Sequence, residues 1–218
     1  MDNNAGTRLN LSKLHYPVTV LGHGTRAGVW FQGCSIGCHG CISLDTWQVA
    51  AQHAVDPDSV LTWLRELTGV VDGVTISGGE PFDQPEALLH LLAGIRDIEH
   101  LDGADVLVYS GRSMEWLRDR FPDHLALADA LISDPYLSHH DDDVPLRGSS
   151  NQRLTLLSDL GRARYERTDQ PPDGGSLQIE VADGRIWMIG IPRRGDITRF
   201  EQSMRLKGVA LGDVSWRP

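Results

Sequence analysis

Residues 73–109 read GVTISGGEPFDQPEALLHLLAGIRDIEHLDGADVLVY. Gly73 to Ser77 predicts a short buried strand that runs straight into a glycine turn at Gly78-Gly79. Pro85 to Ile98 follows as a helix. Pro85 suits a first helical turn, and Leu88, Leu89, Leu91, Leu92 and Ile95 recur at helical spacing. Asp105 to Tyr109 then reads as a second buried strand. The connections are too long for hairpins, so this is a βαβ unit and its strands are parallel.

The alternation continues on both sides. Asp56 to Leu67 is helical, with Asp56 or Asp58 as its cap and Val60, Leu61, Leu64 and Leu67 on one face. Ser113 to Arg120 is a helix capped by Ser113. Leu127 to Ile132 is a strand, or a short helix feeding one. Upstream, Tyr16 to Leu21 is a strand, Gly22 to Arg26 a turn, and Val29-Trp30-Phe31 a second short strand ending at Gly33. The first dozen residues are polar and are expected to fray.

After Arg153 the character changes. Arg162 to Gly175 reads as a polar loop with Pro171-Pro172 and Gly174-Gly175. Leu177 to Val181 and Ile186 to Ile189 form a hairpin around Asp183-Gly184. Asp196 to Leu206 is a final helix. The tail from Ser149 therefore reads as an antiparallel appendage on an α/β core. No internal repeat is visible.

The 218 residues suit one domain with an appendage. At 40% apolar and 23% charged, the composition is that of an ordinary globular chain able to bury a core. Every apolar run falls well short of the roughly 20 residues of a membrane-spanning helix, so no membrane association is expected. The N-terminus lacks the basic and apolar regions of a secretory leader. The net charge of -10 argues against nucleic acid as a partner, because phosphate binding needs clustered cations. Lysine occurs only at Lys13 and Lys207, and the rest of the base is arginine.

All 3 cysteines lie in one loop, Cys34-Ser35-Ile36-Gly37-Cys38-His39-Gly40-Cys41. An odd, clustered set does not build a disulfide framework, and without a leader the expected compartment is a reducing cytoplasm. The spacing is C-x3-C-x2-C. Ferredoxin and structural zinc sites draw on four protein ligands, and a fourth cysteine does not exist in this chain. Three thiolates can hold three irons of a 4Fe-4S cluster and leave the fourth iron open to a substrate. Gly33, Gly37 and Gly40 let the loop wrap and turn N–H groups toward sulfur.

Other readings stand beside this one. His39 could complete a Cys3His zinc site, although such sites usually join two separated ligand pairs, and adjacent Cys38 and His39 fit one tetrahedron poorly. The thiols could be buried and unliganded. A cluster could serve electron transfer or sensing without catalysis. His139-His140-Asp141-Asp142-Asp143 reads as a charged exposed loop rather than a metal clasp. Trp30, Trp47 and Trp63 read as packing residues.

In its setting the triplet resembles the radical S-adenosylmethionine superfamily. The approach Gly22-His23-Gly24-Thr25-Arg26, then Val29-Trp30-Phe31-Gln32-Gly33-Cys34, is similar to that of the glycyl-radical-enzyme activases. The short anaerobic ribonucleotide reductase activating group is the nearest match. His23 stands where that group often has proline. Thr75-Ile76-Ser77-Gly78-Gly79-Glu80-Pro81 resembles the S-G-G-E-P motif, and Val108-Tyr109-Ser110-Gly111 the following Y-[ST]-G. Asp129 to Tyr136 and Arg147-Gly148-Ser149-Ser150-Asn151-Gln152-Arg153 complete the series. The likeness spans roughly residues 15–155.

The resemblance implies an α/β fold, a partial (βα)6 TIM-like barrel of the radical-SAM type with a small C-terminal β-hairpin and helix appendage. It implies a flexible N-terminus over 1–14, a core over 15–155 and an extension over 156–218. Cys34, Cys38 and Cys41 are the implied cluster ligands. Gly78, Gly79, Glu80, Pro81, Ser110, Gly111, Asn151, Gln152 and Arg153 are the implied S-adenosylmethionine contacts. The implied chemistry is one-electron cleavage of S-adenosylmethionine to a 5′-deoxyadenosyl radical, which takes a hydrogen atom from a backbone glycine of a partner enzyme. An electron donor such as flavodoxin or ferredoxin is then required. The long tail and the lack of any residue naming a glycyl partner keep open direct action on a small molecule, nucleotide or peptide, as well as a non-enzymatic carrier or sensor.

Overall fold

The computed structural model describes residues 7–49, 51–140, 144–166, 177–182, 185–212 and 214–216. The Pro171-Pro172 and Gly174-Gly175 loop, the Asp183-Gly184 turn and Asp141 to Asp143 lie outside these residues. The chain opens with β1 (Leu9–Val18) and β2 (Arg26–Phe31), an antiparallel pair, and β3 (Ala54–Val55) adds to the free side of β1. Then come α1 (Pro57–Glu66), β4 (Gly73–Gly78), α2 (Pro85–Arg96) and β5 (Asp105–Tyr109). They are followed by α3 (Met114–Arg120), α4 (Pro122–Ala126), β6 (Ala130–Ser133) and β7 (Arg153–Leu156). After α5 (Asp159–Tyr165), a two-stranded hairpin of β8 (Leu177–Ala182) and β9 (Arg185–Gly190) leads to α6 (Asp196–Leu206).

The main sheet has seven strands in the order β3-β1-β2-β4-β5-β6-β7. β2, β4, β5 and β6 pair parallel, and β3, β1 and β7 extend the sheet antiparallel at its two margins. The expected α/β class and parallel centre are present. The parallel crossovers stop at β6, because the chain returns along β7 in the opposite sense. No helix among the described residues is long and apolar enough to cross a membrane.

The helices follow their sequence signals closely. The Asp56 side chain accepts from the Asp58 N–H at 3.0 Å and caps α1, and Ser113 accepts from the Trp116 N–H at 3.3 Å and caps α3. The first strand differs from expectation: it begins at Leu9, inside the stretch expected to fray, and ends at Val18. A register shift between Leu11 and Lys13 explains this. A bulge breaks the period-2 alternation, so Leu9, Leu11, Leu14 and Tyr16 look patternless in sequence although all pack on the core. The antiparallel tail from Ser149 also differs, because β7 belongs to the main sheet.

The sheet's two faces are unlike. On one, Ala27, Val29 and Phe31, Val74 and Ile76, and Val106 and Val108 pack against Leu61, Leu64, Leu88, Leu91, Leu92 and Leu117. Each fully buried aliphatic or aromatic side chain there contributes about 1.5–3 kcal/mol. On the other face, at the N-terminal strand ends, Arg26 is fully buried. It meets Asp105 at 2.8 Å, and its Nε donates to Thr75 at 2.6 Å. Tyr165 of α5 donates to Asp105 at 2.6 Å. The Gly22 to Arg26 turn thus serves the end of the sheet opposite the cysteine loop. Toward the C-terminal ends, Trp30 and Tyr109 pack with Ile189 and Ile191 of the extension.

Candidate functional site

The cysteine loop leaves β2 at its C-terminal end. Gly33, Gly37 and Gly40 have φ of 104°, 63° and 82°, so the loop's turns need residues without a side chain. The Gly33 N–H donates to the Thr46 carbonyl at 2.7 Å, and the Cys34 N–H to the Trp47 carbonyl at 3.0 Å. The Gln32 side chain holds the same returning segment, donating to the carbonyls of Asp45 at 2.8 Å and Gln48 at 2.7 Å. The loop is thereby closed at its base.

The glycine turn after β4 is stitched to this loop. The Gly79 N–H donates to the Phe31 carbonyl and the Glu80 N–H to the Gly33 carbonyl, both at 2.8 Å. A Cβ on Gly79 would stand 2.1 Å from the Gly33 carbonyl oxygen. Glycine is therefore dictated at 79 by the approach of two backbones. Pro81 is buried and opens the short turn after Glu80.

Glu80 points into the protein and is only 1% exposed. One of its oxygens accepts from Ser110 Oγ at 2.9 Å and the Phe82 N–H at 3.1 Å, and the other from the Gly111 N–H at 2.7 Å. Burial pushes its carboxyl up to about 7, against the pull of these donors. Glu80 thus ties the β4 end to the β5 end. Ile36 of the cysteine loop closes on Gly111, where an added Cβ would sit 3.1 Å from it.

Three residues without a sequence signal complete the junction. The Ser35 N–H and Oγ donate to Asp83 at 2.7 and 2.9 Å. Arg112 donates to Ser35 Oγ at 2.6 Å and Asp83 at 2.8 Å, and its guanidinium lies 4.9 Å from the Trp116 ring centre. The signal available was position alone: Asp83 and Arg112 follow directly on the two recognised strand-end motifs.

Asn151, Gln152 and Arg153 serve a neighbouring loop. Asn151 Nδ2 donates to the Pro135 carbonyl at 2.9 Å, and Gln152 Nε2 to the Asp134 carbonyl at 3.0 Å. Asn151 Oδ1 is buried without a hydrogen-bond partner. Arg153 turns outward to Asp134 at 2.8 Å and Glu115 at 2.9 Å. The loop meets the cysteines through Tyr136, whose N–H faces the Cys38 sulfur.

Each of the three sulfurs faces a backbone donor. Cys34 faces the N–H groups of Gly37 and Ile36, Cys38 that of Tyr136, and Cys41 accepts from the Ser43 N–H at 3.4 Å. Burial pushes the Cys34 and Cys38 thiols up, so a metal centre must displace protons that burial favours. Among the described residues, no three His, Cys, Asp or Glu side chains form a group able to hold a single metal ion. Each of the three thiols carries a backbone N–H donor, as sulfur ligands of an iron–sulfur cluster do.

Residues 20–155 match the family described as a 4Fe-4S single cluster domain. An anaerobic ribonucleoside-triphosphate reductase-activating protein from Haemophilus influenzae is 27% identical over 145 residues, covering 63% of this chain and 92% of the relative. A pyruvate formate-lyase-activating enzyme from Clostridium pasteurianum is 39% identical over 75 residues, 33% of this chain and 32% of the relative. Among solved structures, QueE from Escherichia coli aligns with a TM-score of 0.41 at 17% identity, covering 50% of this chain and 56% of that one.

Proposed function

The chain belongs to the family of 4Fe-4S single cluster domains, and from that membership we propose that it activates a glycyl-radical enzyme of the anaerobic ribonucleotide reductase type. It is a radical S-adenosylmethionine oxidoreductase, and its cofactors are a 4Fe-4S cluster and S-adenosylmethionine. One observation carries the proposal: the cysteine loop, the S-G-G-E-P turn and the Ser110-Gly111 turn form one hydrogen-bonded unit at the C-terminal ends of parallel strands. That edge is where α/β folds hold their ligands. Reading the sheet as one wall of a partial barrel belongs to the same proposal.

In this reading Cys34, Cys38 and Cys41 hold the cluster. Gly78, Gly79 and Pro81 shape the wall beside it, with Glu80, Ser110 and Gly111 as its internal brace. Asn151 offers its unpartnered Oδ1 to the ligand while its Nδ2 holds Pro135, and Gln152 and Arg153 hold Asp134. When bound and reduced, the cluster supplies the electron that opens the sulfonium to methionine and a 5′-deoxyadenosyl radical. The chain's own work is to bind, orient and exclude water. Glu80, with both oxygens occupied inside the protein, moves no proton. We place the enzyme in the cytoplasm, with flavodoxin or ferredoxin as electron donor and a glycyl-radical enzyme as hydrogen donor.

A second reading, direct action on a small molecule, is favoured by the packing of Ile189 and Ile191 on Trp30 and Tyr109. That packing covers part of the sheet face on which Trp30 and Tyr109 lie.

The deciding experiment is anaerobic. The reconstituted, reduced protein is given S-adenosylmethionine, and 5′-deoxyadenosine is assayed by mass spectrometry with and without a candidate glycyl-radical enzyme. We expect 5′-deoxyadenosine from the native chain, none from Cys38→Ala, and a glycyl radical signal in the partner. Cleavage by Cys38→Ala would remove Cys38 from the ligand set. A cluster whose spectrum ignores S-adenosylmethionine would leave a carrier or sensor.

A further inference from the structure

Helix α6 carries no buried residue. From Arg193 to Lys207 the chain has five cations, Arg193, Arg194, Arg199, Arg205 and Lys207, against two carboxylates, Asp196 and Glu201. The segment is +3 in a chain of net charge -10. All five cations are exposed. Arg199 pairs with Asp196, and Glu201 accepts from Trp216 Nε1 at 2.8 Å. No ion pair among the described residues engages Arg193, Arg194, Arg205 or Lys207. Elsewhere Lys13, Arg26, Arg96, Arg112, Arg153 and Arg162 each face a carboxylate. Arg8, Arg65 and Arg118, exposed and without an ion pair among the described residues, are scattered singly along the chain.

This patch has an apolar centre and a route to the site. Leu206 is 89% exposed and Val209 43%, and a groove of about 400 Å³ runs between α6 and residues 208–211. An apolar spot beside Arg205 and Lys207, on a helix preceded by Arg193 and Arg194, suits a small, transient docking surface, although Glu201 also lines the groove. Beyond the groove the chain returns to the cysteine loop, where the Ser215 carbonyl accepts from the Leu44 N–H at 2.9 Å. Leu44 lies just past Cys41, so the patch and the metal site share a wall.

We propose that α6, with Arg194, Arg205 and Lys207, is the docking surface for an acidic protein electron donor. The occupant follows from charge. An acidic donor approaching a chain of net charge -10 is repelled except where cations are gathered and unpaired. At physiological salt the screening length is about 8 Å, so the local patch outweighs the distant net charge at contact. An extended nucleic acid would reach beyond the patch into the negative remainder. The proposal rests on the reading of the site as a reducible cluster.

The test is stopped-flow reduction of the reconstituted holoprotein by flavodoxin hydroquinone. The native chain is compared with Arg194→Glu/Arg205→Glu/Lys207→Glu and with the triple glutamine variant. Photoreduction by a small neutral deazaflavin serves as control. The second-order rate with flavodoxin should fall at least tenfold in the glutamate variant and by an intermediate factor in the glutamine variant. Added salt should slow the native reaction and speed the glutamate variant, while deazaflavin reduces all three alike. Equal flavodoxin rates across the three proteins, or no reduction of the native chain by flavodoxin, would overturn the docking surface alone. Failure of deazaflavin to reduce the native chain would overturn the cluster reading and the proposal with it.

Discussion

Glu80 is the residue on which the site's architecture turns. Its carboxyl is pushed up from the ordinary 4.5 to about 7 because burial penalises its charge. Below about pH 4.5 both folded and unfolded forms are protonated and the penalty is absent. Between about 4.5 and 7 the unfolded chain ionises first, so stability falls as pH rises, levelling off about 3 kcal/mol lower above pH 7. Glu80→Gln should remove this slope, and melting temperatures of the two holoproteins taken anaerobically at pH 5 and 7.5 check it. The gap should shift toward the variant at the higher pH. In sequence, Glu80 was visible as part of a motif, yet its inward direction was not, since nothing local tells a ligand contact from a brace. Gly79 is a similar case: its need for glycine lies in the Gly33 carbonyl, 46 positions away in the chain. Ser35, Asp83 and Arg112 were illegible for the same reason, because their meaning lies in a three-way meeting that only folding creates.

At the scale of elements, helices and buried strands announce themselves through periodicity and caps, and α1, α2, α3, β4 and β5 lie where the sequence places them to within a residue or two. β1 does not, because its bulge scrambles the alternation. β3, of two residues, and β7, of four, are too short to stand out. α5 shows how an element outside the recognised motifs is fixed by the core. A Cβ on its Gly161 would stand 2.0 Å from the Asp129 carbonyl oxygen, and Tyr165 is only 2% exposed. Tyr165, Asp105 and Arg26 join α5, β5 and β2 at the N-terminal strand ends. Asp105→Ala would strand a buried guanidinium and a buried hydroxyl together, and should cost about 3–5 kcal/mol in urea unfolding. Iron content per folded chain should hold, since this network lies at the opposite end of the strands from the cysteines.

For the whole molecule, the separation of the two strand ends divides labour: one end is locked by a buried ion pair, the other left to open loops. The hairpin closes part of the open side. Gln178 donates to the Pro17 carbonyl at 2.8 Å, and Ile189 covers Val18, Val20 and Leu21. A chain ending at Glu166 uncovers those residues with Trp30 and Tyr109. It should melt at lower temperature and bind a hydrophobic dye, yet still assemble iron and sulfide on its three thiols. Loss of the cluster in a folded truncated chain would instead make the extension part of the metal site.

The meeting of Gly33 with Glu80, Ile36 with Gly111, Cys38 with Tyr136 and Leu44 with Ser215 also has a temporal side. The thiols leave the ribosome before Glu80, Gly111, Tyr136 and Ser215, the residues that meet their loop. A nascent chain therefore displays three reactive sulfurs long before it owns a pocket for them. Iron delivery belongs after Tyr136 has emerged and β6 is in place, and any assembly factor that serves this protein must meet a folded core.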